Sequence, residues 1–188
     1  FKYMKTLLIY KSETGFTKAY ADMIKARIPD LTVVDLKHFK RKMVKENDII
    51  FYGGPLRNNV IVGLNKFLKT NDLFGDKDIF VFATGIQPID DDKKENVINA
   101  NGLEFYHVRL YLLPGGLDIN KMKKWKQKIF RFAMKRAMNS NQMPEGVDRT
   151  LFESRINQRL DLVSPSAIDR MIEVYNAVRG KRLSGENI

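Results

Sequence analysis

Ser12, Thr14 and Thr17 crowd into the six residues SETGFT, between the apolar run Thr6–Tyr10 and a helix-like run that starts at Thr17. Hydroxyls placed there can each donate an O–H to a phosphate oxygen. The start of a helix adds outward-pointing backbone N–H groups, and the helix dipole favours negative charge at that end. Gly15 lets the backbone pass close to a ligand. Lys11 and Lys18 flank the loop, but no Lys or Arg lies within it. The Gly-Lys-Ser/Thr of a nucleotide P-loop and the GxGxxG of a dinucleotide site are both missing. Hydroxyls and amides without a basic residue suit a phosphomonoester that is held and not hydrolysed. The plainer reading of the same residues is helix capping.

The elements around the loop favour the phosphate. Apolar strand-like runs at 6–10, 31–36, 48–54, 77–85 and 104–116 alternate with helical patterns at 17–28, 62–71 and 90–102. That alternation predicts a parallel sheet with helices on both faces. Continuously apolar strands fit a sheet covered on both sides. In such folds ligands bind beyond the carboxyl ends of the strands. The glycine-bearing turns at 53–54, 85 and 115–116 fall at those ends, although each could serve turn geometry alone, as is expected for Gly115 and Gly116. Asp90, Asp91 and Asp92 read as a helix start. Residues 118–160 break the rhythm and are read as a strandless helical insertion, after which 164–180 closes the domain. Ser164 and Pro165 begin that last helix, Ile168, Met171, Ile172, Tyr175 and Val178 form its core face, and Gly180 caps it. One domain spanning 1–188 is expected.

The net charge of +11 implies an anionic partner without choosing one. Cysteine is absent, which excludes disulfides, thiolate metal sites and thiol nucleophiles. His38 and His107 are too few for a metal site, and His107 reads as an interior histidine of the fifth strand. Nucleic acid is disfavoured, because no helix-turn-helix, zinc-finger or RNA-binding signature appears. With no apolar run long enough to span a bilayer and no secretory signal, a cytoplasmic address is expected, with peripheral contact at the inner face of the membrane as a variant. That variant rests on 121–136, which carries eight Lys or Arg and no acid, with Met122, Trp125, Ile129, Phe132 and Ala133 on one stripe. Such a helix can lie on an anionic membrane. Equally, it can pack Trp125 and Phe132 onto the domain and leave its lysines in water.

SETGFT resembles the Thr/Ser-x-Thr-Gly-x-Thr phosphate loop of flavodoxins, and GGPLRNN (53–59) and ATGIQP (83–88) resemble the two loops that bracket the flavin in that family. The likeness covers most of the chain. It is closer to the branch related to menaquinone-dependent protoporphyrinogen oxidase, through LLPGGLD (112–118), the basic insertion, DRT (148–150) and the closing DLVSPSAIDRMIEVYNAV. The resemblance implies a flavodoxin-like three-layer α/β sandwich, with a five-stranded parallel sheet in the order 2-1-3-4-5. It implies bound FMN, with the phosphate on Ser12, Thr14, Thr17 and the amides of Glu13, Thr14, Gly15, Phe16 and Thr17. The ring would lie against Gly54, Pro55, Leu56, Arg57 and Asn58 on one side and Thr84, Gly85, Ile86 and Gln87 on the other. No aromatic residue stands in either ring loop, and the strong positive charge departs from the usual acidic carrier. Two functions follow from the resemblance. One is an oxidoreductase exchanging electrons with a quinone or porphyrin. The other is a non-enzymatic carrier that docks to a redox partner through charge.

Overall fold

A computed structural model describes residues 4–86, 89–139 and 159–185. The elements run β1 (Thr6–Tyr10), α1 (Phe16–Arg27), β2 (Leu31–Asp35), α2 (Arg41–Lys45), β3 (Ile49–Arg57), β4 (Val60–Ile61), α3 (Leu64–Leu68), β5 (Asp78–Gly85), α4 (Asp91–Asn101), β6 (Val108–Pro114), β7 (Gly116–Leu117), α5 (Lys124–Asn139), β8 (Leu160–Asp161) and α6 (Asp169–Ser184).

The five long strands pair in parallel in the order β2-β1-β3-β5-β6. This is the expected 2-1-3-4-5 arrangement, with β4 added as a short antiparallel partner of β3. Side chains alternate across a strand, so adjacent residues feed opposite layers. Leu8, Phe51, Phe80 and Phe82 pack with Tyr20 and Ile24 of α1 and with Met171, Ile172 and Tyr175 of α6. Leu7, Ile9, Ile50, Tyr52 and Val81 pack with Leu64 and Phe67 of α3 and Val97 of α4. The register sets Tyr10 beside Gly53, and Gly53 beside Phe82, so the carboxyl ends of β1, β3 and β5 meet at one edge.

Several expectations change. Gly53 and Gly54 are not turn residues. They lie inside β3, where a Cβ on Gly53 would sit 2.0 Å from the Phe82 ring and one on Gly54 2.7 Å from the Val62 carbonyl. Gly116 also serves close packing rather than a turn, since its Cβ would meet the Phe16 ring at 2.4 Å. β3 runs three residues further than expected, because Asn58 and Asn59 adopt positive φ values of 49° and 66° and fold it back onto β4. Residues 118–160 are not strandless, since Leu160 pairs with Leu117 and Asp161 with Gly116. β6 starts only at Val108, which leaves His107 exposed ahead of it rather than interior. Ser164 and Pro165 open a 3-10 turn that precedes α6. The helix then passes through Gly180 and ends at Gly185, whose φ is 75°. Its expected core face is buried throughout. Asp90 caps α4, accepting the Lys93 backbone N–H at 2.7 Å.

Candidate functional site

The loop from Lys11 to Gly15 joins β1 to α1 at the edge where the order of strands reverses. Ser12 shapes it. The Ser12 Oγ accepts the backbone N–H of Gly15 at 3.1 Å and that of Lys18 at 3.4 Å. Both lone pairs are used inward, so its O–H remains a donor. Gly15 takes φ 99°, a left-handed conformation that suits glycine, and begins α1 without a side-chain cap. The N–H groups of Glu13, Thr14, Phe16 and Thr17 make no hydrogen bond to any described residue. The result is a concentrated set of donors at a helix start.

Thr17 is placed differently from Ser12 and Thr14. It is buried, and its hydroxyl meets that of buried Thr84 at 2.9 Å. This contact ties the first loop to the end of β5. Phe16 packs beneath Gly116, with the Arg159 guanidinium 5.4 Å from its ring centroid.

Beside the loop lies a pocket of about 570 Å³. Leu56, Arg57, Asn58, Gly85 and Ile86 line it as the sequence anticipated. Thr84, which is buried, and Gly54 and Pro55, which lie inside β3, do not line it, contrary to expectation. Gln87 and Pro88 fall outside the described residues. The unanticipated wall comes from the insertion, with Met122, Trp125, Lys126 and Ile129. Trp125 thus brings to the pocket the aromatic ring that both ring loops lack. A signal for it existed in the sequence, since Met122, Trp125 and Ile129 share one helical stripe, but nothing local said what that stripe faces.

The charged lining is entirely basic, with Arg57, Lys93 and Lys126. Glu13 answers two of them. Its carboxylate pairs with Arg57 at 2.5 Å and with Lys126 at 3.4 Å, so it links the first loop to β3 and to α5. Burial alone would raise the Glu13 pKa, but Arg57 and then Lys126 outweigh it and hold the carboxyl below its ordinary value. A carboxylate with a depressed pKa contributes its bridge fully above the ordinary value and loses it as pH falls through the lowered one. We therefore expect α5 to loosen from the loop in acid, seen as a change in Trp125 emission with a midpoint below 4.5. Glu13→Gln should abolish that transition. Burial lowers the Lys93 pKa, Asp90 opposing it, while the Lys93 ammonium donates to the Asn59 side chain.

A last cation reaches the loop itself. The Lys121 ammonium lies 3.8 Å from the position a Cβ on Gly15 would occupy. Along the chain the loop has no internal cation, but in space Lys121 brings one to it.

A parallel sheet in this order, with a loop of unbonded backbone donors after its first strand, defines the doubly wound α/β class whose ligands sit at the β1/β3 switch point. Residues 7–143 match the family described as Flavodoxin domain, and the chain belongs to that family. Membership points to FMN as the cofactor and to redox chemistry. The loop donors, the Gly15 backbone and the pocket beside them fit a phosphorylated flavin.

Solved structures similar to the chain include the WrbA-like flavodoxin of Agrobacterium tumefaciens, at 14% identity over 74% of this chain and 98% of that one, with a TM-score of 0.48. The Trp repressor binding protein of Bacillus subtilis matches at 16% identity over 59% and 85%, with a TM-score of 0.45. Oxidised flavodoxin 1 of Bacillus cereus matches at 17% identity over 58% and 85%, with a TM-score of 0.41. A search of the curated proteins finds no match.

Proposed function

We propose that the protein is an FMN-dependent oxidoreductase exchanging electrons with an apolar, quinone- or porphyrin-class small molecule, similar to the branch related to menaquinone-dependent protoporphyrinogen oxidase. The observation that carries this reading is the wall that the insertion adds to the pocket. Met122, Trp125 and Ile129 extend it beyond the two ring loops, as a small-molecule reactant requires. A carrier that meets its partner through an exposed flavin edge has less use for such a wall.

In this reading Ser12, Thr14, the unbonded amides of Glu13, Thr14, Phe16 and Thr17 and the Lys121 ammonium hold the phosphate, the Gly15 amide being bonded to Ser12. Thr17, bonded to Thr84, keeps the loop in register with β5. Leu56, Ile86 and Trp125 orient the ring and exclude water. When bound, FMN supplies the electron-accepting and electron-donating chemistry. Arg57, Lys93 and Lys126 hold positive charge at the pocket, which favours negative charge arriving there. Glu13 moderates that field by pairing with Arg57 and Lys126.

Arg57→Ala is expected to lower the flavin reduction potential by about 30 mV, the equivalent of roughly 1.4 kcal/mol for a two-electron couple. Redox titration against a reference dye measures it, and an unchanged potential would remove Arg57 from the tuning role. The proposal as a whole is tested by reducing the FMN-loaded protein and following its reoxidation. Rapid reoxidation by a soluble menaquinone analogue supports it. Inertness toward quinones and porphyrinogens, with fast transfer to an acidic redox protein, selects the carrier function, which the exposed basic surface of α5 favours.

A further inference from the structure

We propose that α5 docks the protein on an anionic lipid surface. α5 leaves three large apolar side chains in water. Trp125 and Ile129 are each 59% exposed and Phe132 is 70% exposed. They stand at i, i+4 and i+7, one above the other on a single face. The alternative in which the helix buries Trp125 and Phe132 against the domain is not the arrangement found. Cations border this stripe along a helix about 24 Å long, with Lys124, Lys128 and Lys135 on one side and Lys126 on the other. Between Lys121 and Arg136 there are eight cations and no carboxylate.

Two features select lipid over an acidic protein. Six of those eight cations are lysines. Protein interfaces are enriched in Arg and depleted of Lys, whereas flexible lysine stems flanking an apolar stripe can lie along acyl chains with their ammonium groups among headgroups. The exposed stripe also holds a Trp and a Phe, side chains that suit the boundary between headgroups and acyl chains. An apolar centre with a basic rim is the complement of a bilayer surface rich in acidic headgroups.

The same face carries the pocket. Trp125 and Ile129 line its wall while remaining more than half exposed. A docked α5 therefore brings the mouth of the pocket to the lipid. If the oxidoreductase reading above holds, an apolar reactant dissolved in the bilayer reaches the pocket without crossing water. The docking itself does not depend on flavin.

The test is flotation of the full chain with vesicles of phosphatidylcholine alone, or mixed with phosphatidylglycerol. Binding is expected on the mixed vesicles only. It should be released by high salt and accompanied by a blue shift of emission from Trp125, the single tryptophan. Lys124→Glu combined with Lys128→Glu should weaken it at least about 25-fold, about fivefold for each cation lost. Phe132→Ser should weaken it without altering the salt dependence. None of these three residues lines the pocket, and circular dichroism checks that the variants fold. Should charge reversal unfold the chain, the salt titration of the unaltered protein takes its place. No flotation, equal flotation on both vesicles, flotation indifferent to salt, or a Phe132→Ser effect confined to self-association overturns the proposal. Because flotation is read without the flavin signal, a colourless protein that floats upholds the docking while ending the oxidoreductase reading.

Discussion

An Asp78→Ala variant is expected to lose about 3 kcal/mol of folding stability, the low end of the cost of breaking a buried ion pair by removing one partner. Asp78 begins β5 and is 6% exposed. One carboxylate oxygen accepts from Arg182 at 2.5 Å and the other from Arg109 at 2.7 Å. The Arg182 side chain is itself only 8% exposed, so it cannot recover full hydration when its partner goes. Arg109 is 35% exposed and stays partly solvated, with its guanidinium over the Phe80 ring. Asp76 remains near Arg182, but that carboxylate is 3.8 Å away and almost fully in water, which is why the low end of the range applies. Urea unfolding measures the loss. The signature is specific, since Asp78→Ala combined with Arg182→Met should recover much of the stability by removing the stranded charge. A double variant as unstable as the single one would mean that the loss does not come from the stranded Arg182 charge.

The same pair accounts for part of what the sequence left hidden. Gly180 looked like a helix end because glycine lowers helix stability by about 1 kcal/mol. In the structure Arg182 lies two residues beyond it and bonds to the start of β5, which carries α6 past the glycine to Gly185. Local propensity lost to a contact 104 residues away. By contrast, β1, β2 and β5 were legible to within a residue, because each is a short run dominated by apolar and β-branched residues; β1 and β5 are buried almost throughout, while β2 lies at the edge of the sheet. The extension of β3 was missed, although Asn58 and Asn59 supply the two positive φ values of a tight hairpin. The pairing of β7 with β8 was not legible, since two residues on each side carry no period and their union depends on the path of the insertion. For the site, the turn that leaves donors unbonded at the start of α1 could be read from Ser12 to Phe16, because its conformation follows from local order, whereas the burial of Thr17 against Thr84 could not. Trp125, Lys121 and Lys126 could not be assigned to the site, because only the path of the insertion, the turn at Lys121 and then α5, brings them there.

Ser12→Ala should weaken FMN binding about 10- to 100-fold, the equivalent of roughly 1.5–3 kcal/mol for a hydrogen bond to a charged group. Riboflavin binding should hardly change. The contrast follows from where the hydroxyl points. Its oxygen accepts the Gly15 and Lys18 amides, which keeps the loop wound, and its proton is left to donate outward. Removing it takes a donor from the phosphate and slackens the turn that aims the neighbouring N–H groups. The ring pocket, built from Leu56, Ile86 and Trp125, is untouched. Titrations of FMN and riboflavin, followed by quenching of flavin fluorescence, give both affinities. Lys121→Ala supplies a second, smaller phosphate-specific loss. Its ammonium is exposed, so about fivefold at low ionic strength, shrinking as salt screens the charge, is the expected effect. If Ser12→Ala weakened both flavins alike, the loop would be a helix cap that supports the pocket indirectly. If it weakened neither, the unbonded amides would answer no phosphate. Only a loss confined to FMN, combined with a salt-dependent contribution from Lys121, matches a cup in which backbone donors set the geometry and the insertion supplies the charge.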